Sequence, residues 1–165
     1  MLFNSIDYIV FLPAVFILYW TIFNRSVKTQ NIFLLVSSYF FYSWWDYRFL
    51  SLIIFSTVID YFLGLKISKE KFHRNRKLLL ICSICINLGV LGIFKYYNFF
   101  IESWIDLFRT LGFKMDYVLT LNIILPVGIS FYTFQTMSYT LDIFNKKLEP
   151  TKDFISFASF VSFFP

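Results

Sequence analysis

What most constrains this chain is a succession of long apolar runs separated by short charged gaps. Phe49–Leu65 and Leu78–Phe94 carry 17 residues each, and Val118–Phe144 carries 27, interrupted by Pro126 and Gly128. Ile6–Phe23 is a further run with Pro13 inside it, and Ile32–Trp45 is a shorter one of 14 residues. Phe154–Phe164 begins another before Pro165. A helix needs about 20 mostly apolar residues to cross a bilayer, with a range of about 17–25. Runs of this length and apolarity are read as membrane-crossing helices. The expected fold is all-α: a polytopic transmembrane protein with about five crossings, the start of a sixth, and one helix broken by Pro and Gly.

Composition closes the alternatives. Hydrophobic residues make up 58% and charged residues 15%, whereas a soluble domain carries about 25% charged residues. A chain of this size has too little interior to hide so much apolar side chain, and it is too apolar to be disordered. The net charge of +5 does not point to nucleic acid, because the basic residues fall in the gaps between apolar runs. Eleven of the fifteen Lys and Arg lie in one alternating set of gaps: Arg25 and Lys28; Lys66, Lys69, Lys71, Arg74, Arg76 and Lys77; Lys146, Lys147 and Lys152. The other set holds Arg48, Lys95, Arg109 and Lys114. The positive-inside rule places the richer set in the cytoplasm and the N-terminus outside. That alternation requires Ile32–Trp45 to cross. Met1–Tyr8 has no Lys or Arg, so the first segment does not read as a cleavable signal. Tyr96–Phe108 is aromatic and amphipathic, and it fits either an extension of the fourth helix or an interfacial helix.

Several residues are candidates for chemistry. Cys82 and Cys85 form a CxxC inside an apolar run. No βαβ pattern and no second Cys/His pair accompany them, so neither a redox site nor a metal site is expected, and they read as thiols buried in an apolar helix. His73, the sole histidine, reads as a solvated residue of the basic loop, which attracts anionic lipid headgroups. Asp60 lies five residues from the end of its membrane run, with Ser56 and Thr57 one turn back on the same side. An ionisable residue there is costly, and it serves either assembly through an interhelical hydrogen bond or a reaction. After the Pro126–Gly128 break, Gln135, Ser138, Tyr139 and Asp142 recur at i, i+3, i+4 and i+7 and share one helix face. Such a stripe lines a tunnel or forms a hydrogen-bonded seam between helices; both readings stand.

Four stretches carry a family resemblance: Leu2-Phe3-Asn4-Ser5, Tyr42-Ser43-Trp44-Trp45-Asp46-Tyr47-Arg48, Phe94-Lys95-Tyr96-Tyr97-Asn98-Phe99-Phe100, and Pro126 through Asp142, with Phe160–Pro165 as a fifth. Together they resemble the N-terminal third of the bacterial membrane-bound O-acyltransferases, nearest to the alginate O-acetyltransferase branch. The resemblance implies that 1–165 is the N-terminal part of one multi-pass domain in the inner membrane, whose helices surround a tunnel. It implies a cytoplasmic acyl donor, acetyl-CoA or another acyl carrier, and transfer to hydroxyls of an exported polysaccharide. It also implies partners: the bilayer, the remainder of the acyltransferase, and extracytoplasmic polysaccharide-acetylation proteins. Gln135, Ser138, Tyr139 and Asp142 then become the substrate-binding candidates. The family's reacting histidine lies in a later part of the chain, and His73 does not match its position. The 165 residues thus read as truncated and inactive alone. A small transporter or channel subunit and a non-catalytic assembly subunit are the alternatives.

Overall fold

The computed structural model describes residues 6–23, 26–45, 47–111 and 128–163, and among them every regular element is an α-helix. The order is α1 (Ile6–Thr21), α2 (Val27–Trp45), α3 (Tyr47–Lys69), α4 (His73–Thr110), α5 (Ile129–Phe144) and α6 (Phe154–Ser162). Leu2–Ser5, Arg25, Asp46, Lys114, the start of the long run at 118–127 with Pro126, and Phe164-Pro165 lie outside the described residues.

Local chemistry sets the helix bounds. α2 begins at Val27, ahead of its apolar run, because Ser26 caps it: the Ser26 hydroxyl accepts the Thr29 backbone N–H at 3.2 Å, satisfying a first-turn donor. The expected 14-residue segment is therefore a 19-residue helix. The broad basic loop expected at Lys66–Lys77 is also shorter. Lys66 and Lys69 sit in the last turn of α3, and Arg74, Arg76 and Lys77 ride on α4. His73 is the first residue of α4 and is exposed. Of the two options for Tyr96–Phe108, the structure takes the first: α4 runs unbroken for 38 residues, about 57 Å at about 1.5 Å per residue. α5 starts immediately after Gly128, whose φ of 82° suits a residue without Cβ.

Among the described residues, two helical segments are long and apolar enough to cross a membrane: Leu50–Lys69 of α3 and His73–Tyr97 of α4. α1 is apolar but has only 16 residues. The other crossings of the expected five are not established by length and apolarity.

The core lies where α3, α4, α5 and α6 meet, around Ile53, Tyr61, Ile67, Leu80, Ile129, Tyr139, Ile143, Phe157 and Val161. α3 and α5 approach closely at Gly64, where an added Cβ would stand 2.9 Å from Tyr139 Cε1 and 3.0 Å from Ile143 Cδ1. α1 is peripheral and touches α2 through Tyr8 and Phe11 against Phe41, with ring centroids 5.6 and 6.0 Å apart. Its Ile6, Ile9, Phe16 and Trp20 face outward. So large an outward apolar display is untenable in water and fits lipid. Cys82 and Cys85 are also exposed, contrary to the expectation of buried thiols. They lie on the face of α4 turned away from Ser83 and Asn87, which are the residues that face the bundle.

Candidate functional site

α5 presents different chemistry on its two sides. At about 100° per residue, Thr133, Thr136 and Thr140 fall on one face, and Gln135, Ser138 and Asp142 fall nearly opposite.

The threonine face meets a buried polar node. Asp60 of α3 is fully buried and stands near the middle of its helix rather than close to the end. Its Oδ1 accepts the Ser83 hydroxyl at 2.6 Å, and its Oδ2 accepts the Asn87 side-chain amide at 2.7 Å. Asn87 Oδ1 in turn accepts the Ser56 hydroxyl at 2.8 Å, and Thr136 Oγ1 lies 3.4 Å from it. Ser83 Oγ and Thr140 Oγ1 are 3.2 Å apart. Three helices are thereby joined through one carboxyl group and its neutral partners. Polar groups buried in an apolar bundle need such closure. The arrangement matches the assembly reading of Asp60.

Below the node, Arg76 ties helix ends together. It is buried; its Nε donates to the Ile67 carbonyl at 3.2 Å, and one terminal nitrogen donates to the Ile143 and Phe144 carbonyls at 3.3 and 2.7 Å. The cation therefore sits at the carbonyl-rich C-terminal ends of α3 and α5, where the helix dipoles favour it. The end of α5 is closed further by Lys146, in the left-handed region at φ 60°. The Lys146 N–H donates to the Ile143 carbonyl at 3.1 Å and the Lys147 N–H to the Asp142 carbonyl at 2.9 Å, the two bonds of a Schellman turn.

The other face of α5 borders a cavity of about 680 Å³ between α5, α6 and the connecting loop. Gln135, Ser138, Tyr139 and Asp142 all line it. Phe131 and Phe134 flank them on α5 itself, Phe157 and Phe160 of α6 face them, and Leu148 and Thr151 close the loop end. Gln135 donates from Nε2 to the Phe160 carbonyl at 2.8 Å, while its Oε1 is buried without a hydrogen-bond partner. The Tyr139 hydroxyl, also buried, is turned toward the Thr151 backbone without closing a hydrogen bond, and its ring packs on Phe157 at 4.5 Å. An adjoining cavity of about 440 Å³ shares Phe131, Gln135, Ser156 and Phe160 and extends the groove to Asn31 of α2.

α6 forms the far wall and is held at its N-terminus. Asp153 accepts the Ile155 N–H at 3.1 Å and the Ser156 hydroxyl at 2.6 Å. Ser156 Oγ also accepts from Asn31 Nδ2 at 3.0 Å, and Ser159 donates to the Asn31 carbonyl at 2.7 Å. The Ser156 hydroxyl bond holds the Asp153 carboxyl below its ordinary range, with smaller help from the Ile155 N–H and Lys28.

Sequence reasoning thus brings four groove residues and Asp60 to notice, but misses Arg76 as a buried tie and misses Ser83, Asn87 and the threonine face. A signal existed: polar pairs at i, i+4 recur on three apolar helices, as Ser56–Asp60, Ser83–Asn87 and Thr136–Thr140. His73 is not gathered into either site; its ring lies 5.5 Å from that of Phe144.

The chain is 39% identical over 98% of its length to the probable alginate O-acetylase AlgI of Pseudomonas aeruginosa and 36% identical over the same share to that of Pseudomonas syringae. It is 31% identical over its whole length to the peptidoglycan O-acetyltransferase of Helicobacter pylori. It spans 30% of the length of the first two relatives and 35% of the third. No protein-family model matches the chain, and no solved structure matches it significantly. These homologues bear out the resemblance read from the sequence motifs.

Proposed function

We propose that this chain, a homologue of alginate and peptidoglycan O-acetylating enzymes over nearly its whole length, supplies one helical wall of a conduit for membrane O-acyl transfer. An acetyl group from a cytoplasmic donor, acetyl-CoA or another acyl carrier, reaches hydroxyls of an exported polysaccharide such as alginate. In this reading the chain sits in the inner membrane with its N-terminus outside and crosses five times, α6 beginning a sixth crossing. The basic end with Lys69, Lys146 and Lys147 faces the cytoplasm. Extracytoplasmic acetylation proteins are the partners on the other side.

The observation that carries this reading is the groove. Four polar side chains at helical spacing line a single cavity whose opposite wall is aromatic. A lining of that kind excludes water, which would hydrolyse an activated acyl group, while amide, hydroxyl and carboxyl groups orient it. The chain's own part is binding and orientation. His73 lies on the surface against Phe144, away from the groove, and takes no proton in this scheme. A packing-only subunit is the second reading, favoured by the closed hydrogen bonding at Asp60.

A chimera tests the proposal: the homologous segment of the Pseudomonas aeruginosa relative is replaced by this chain, and O-acetyl content of secreted alginate is measured. Gln135→Leu and Asp142→Asn should each lower it about tenfold, the worth of one directed hydrogen bond. Unchanged acetylation at unchanged protein level would remove the groove from the reaction.

A further inference from the structure

We infer that the Asp60 node is a positioning device for the groove: it fixes the rotation of α5 about its own axis, so that Gln135, Ser138 and Asp142 face α6. The inference rests on the groove being the site proposed above, but the geometry behind it does not. α5 meets α4 at two levels one turn apart, Thr136 Oγ1 3.4 Å from Asn87 Oδ1 and Thr140 Oγ1 3.2 Å from Ser83 Oγ. Each hydroxyl shares its proton between that contact and a carbonyl of its own helix, Thr133 at 3.1 Å and Met137 at 3.0 Å. Both Asn87 and Ser83 are in turn fixed by the Asp60 carboxyl group. Apolar packing alone tolerates rotation and sliding, because one methyl replaces another at little cost in lipid. Hydrogen bonds at two successive turns do not tolerate it. A rotation that releases Thr136 and Thr140 swings the opposite face through the same angle and carries the groove residues away from Phe157 and Phe160. Asp60 therefore acts on the groove through α5 and contacts nothing in it.

The test reads orientation rather than activity, so its outcome is independent of whether the chain transfers acetyl groups. In the intact chain in native membranes, Cys82 and Cys85 on the outward face of α4 are replaced by Ser. Ser138→Cys and Phe160→Cys are then introduced across the groove, and the yield of a short bifunctional thiol cross-linker is measured. Thr136→Val with Thr140→Val preserves shape and removes only the hydroxyls; Asp60→Leu removes the centre of the node. Each should cut the cross-link yield, by roughly threefold for each interhelical hydrogen bond lost. Asp60→Asn should leave the yield near its starting value. It keeps an acceptor for the Asn87 amide and turns the Ser83 hydroxyl round, toward Thr140 Oγ1 at 3.2 Å. A merely structural role would change the amount of protein but not the yield per molecule. The inference is overturned if the double valine variant cross-links like its parent, or if Asp60→Asn loses the cross-link as fully as Asp60→Leu. Should Asp60→Leu fail to accumulate, the double valine variant decides the matter.

Discussion

Arg76 is the side chain on which most of one end of the molecule depends. It satisfies carbonyls at the ends of two helices while its aliphatic stem is buried, and its guanidinium lies 5.4 Å from the Phe144 ring centroid. Arg76→Met keeps the stem and removes the donors, leaving buried carbonyls open. It should cost about 2–3 kcal/mol, as for hydrogen bonds from a charged group, read as a lower unfolding temperature in detergent. Asp153 gives a prediction of opposite character, because it is exposed and its role shows in pH. Its carboxyl is held below the ordinary 3.8, first by the Ser156 hydroxyl. A depressed value means the charged form is favoured in the folded chain. The cap is thus fully present above the ordinary carboxylate range and is lost as pH falls through the depressed value. Hydrogen exchange at the Ile155 amide should accelerate, relative to its intrinsic rate, in that acidic window, and Asp153→Asn should abolish the pH dependence. Neither role was assigned beforehand: Arg76 stands in a basic stretch where topology already accounts for positive charge, and Asp153, although it directly precedes the apolar run that starts at Phe154, reads only as the last residue of a charged gap.

At the scale of elements, glycine separates contact from open surface. Gly64 lies where α3 meets α5, and nothing lies within 4 Å of the Cβ position at Gly89 or Gly92 of α4. Gly64→Ala should therefore destabilise by about 1–3 kcal/mol through overpacking, displacing Tyr139 at the groove wall. Gly89→Ala should stabilise by up to about 1 kcal/mol through helix propensity alone. Thermal unfolding of the two variants side by side checks both signs. Helix existence was readable from the apolar runs, and so was the start of α5 just after Gly128. Several ends were readable too, the starts of α1 at Ile6 and α6 at Phe154 and the ends of α2 at Trp45 and α5 at Phe144. The start of α2 was not, because Ser26 draws four polar residues into it and nothing in an apolar count reports a cap. The groove face of α5 was readable because Gln135, Ser138, Tyr139 and Asp142 keep strict helical spacing. The partner wall from α6 was hidden, because Phe157 and Phe160 look like every other phenylalanine in a chain with 24 of them.

For the whole molecule, the orientation proposed here is open to direct labelling. With Cys82 and Cys85 removed, Lys147→Cys at the basic end should react with an impermeant maleimide only after the membrane is opened. Glu102→Cys, on the far part of α4, should react in intact cells whose outer envelope admits the reagent. The reverse pattern would invert the topology. Charge counting supplies the expected direction, but it cannot supply the packing that brings α3, α4 and α5 around one carboxyl group. The unbroken α4 has a mechanical consequence of its own. A rod of about 57 Å is longer than the hydrocarbon layer of about 30 Å, so in the proposed topology its two ends stand on opposite sides of the membrane. It is held near its start by Arg76 and further along by Ser83 and Asn87. The part beyond Asn87, about 35 Å long, is therefore the projecting arm: a tilt of about 5° at the node sweeps its tip through about 3 Å. In the proposed topology, a rearrangement at the buried node would therefore reach the far side of the membrane as a displacement.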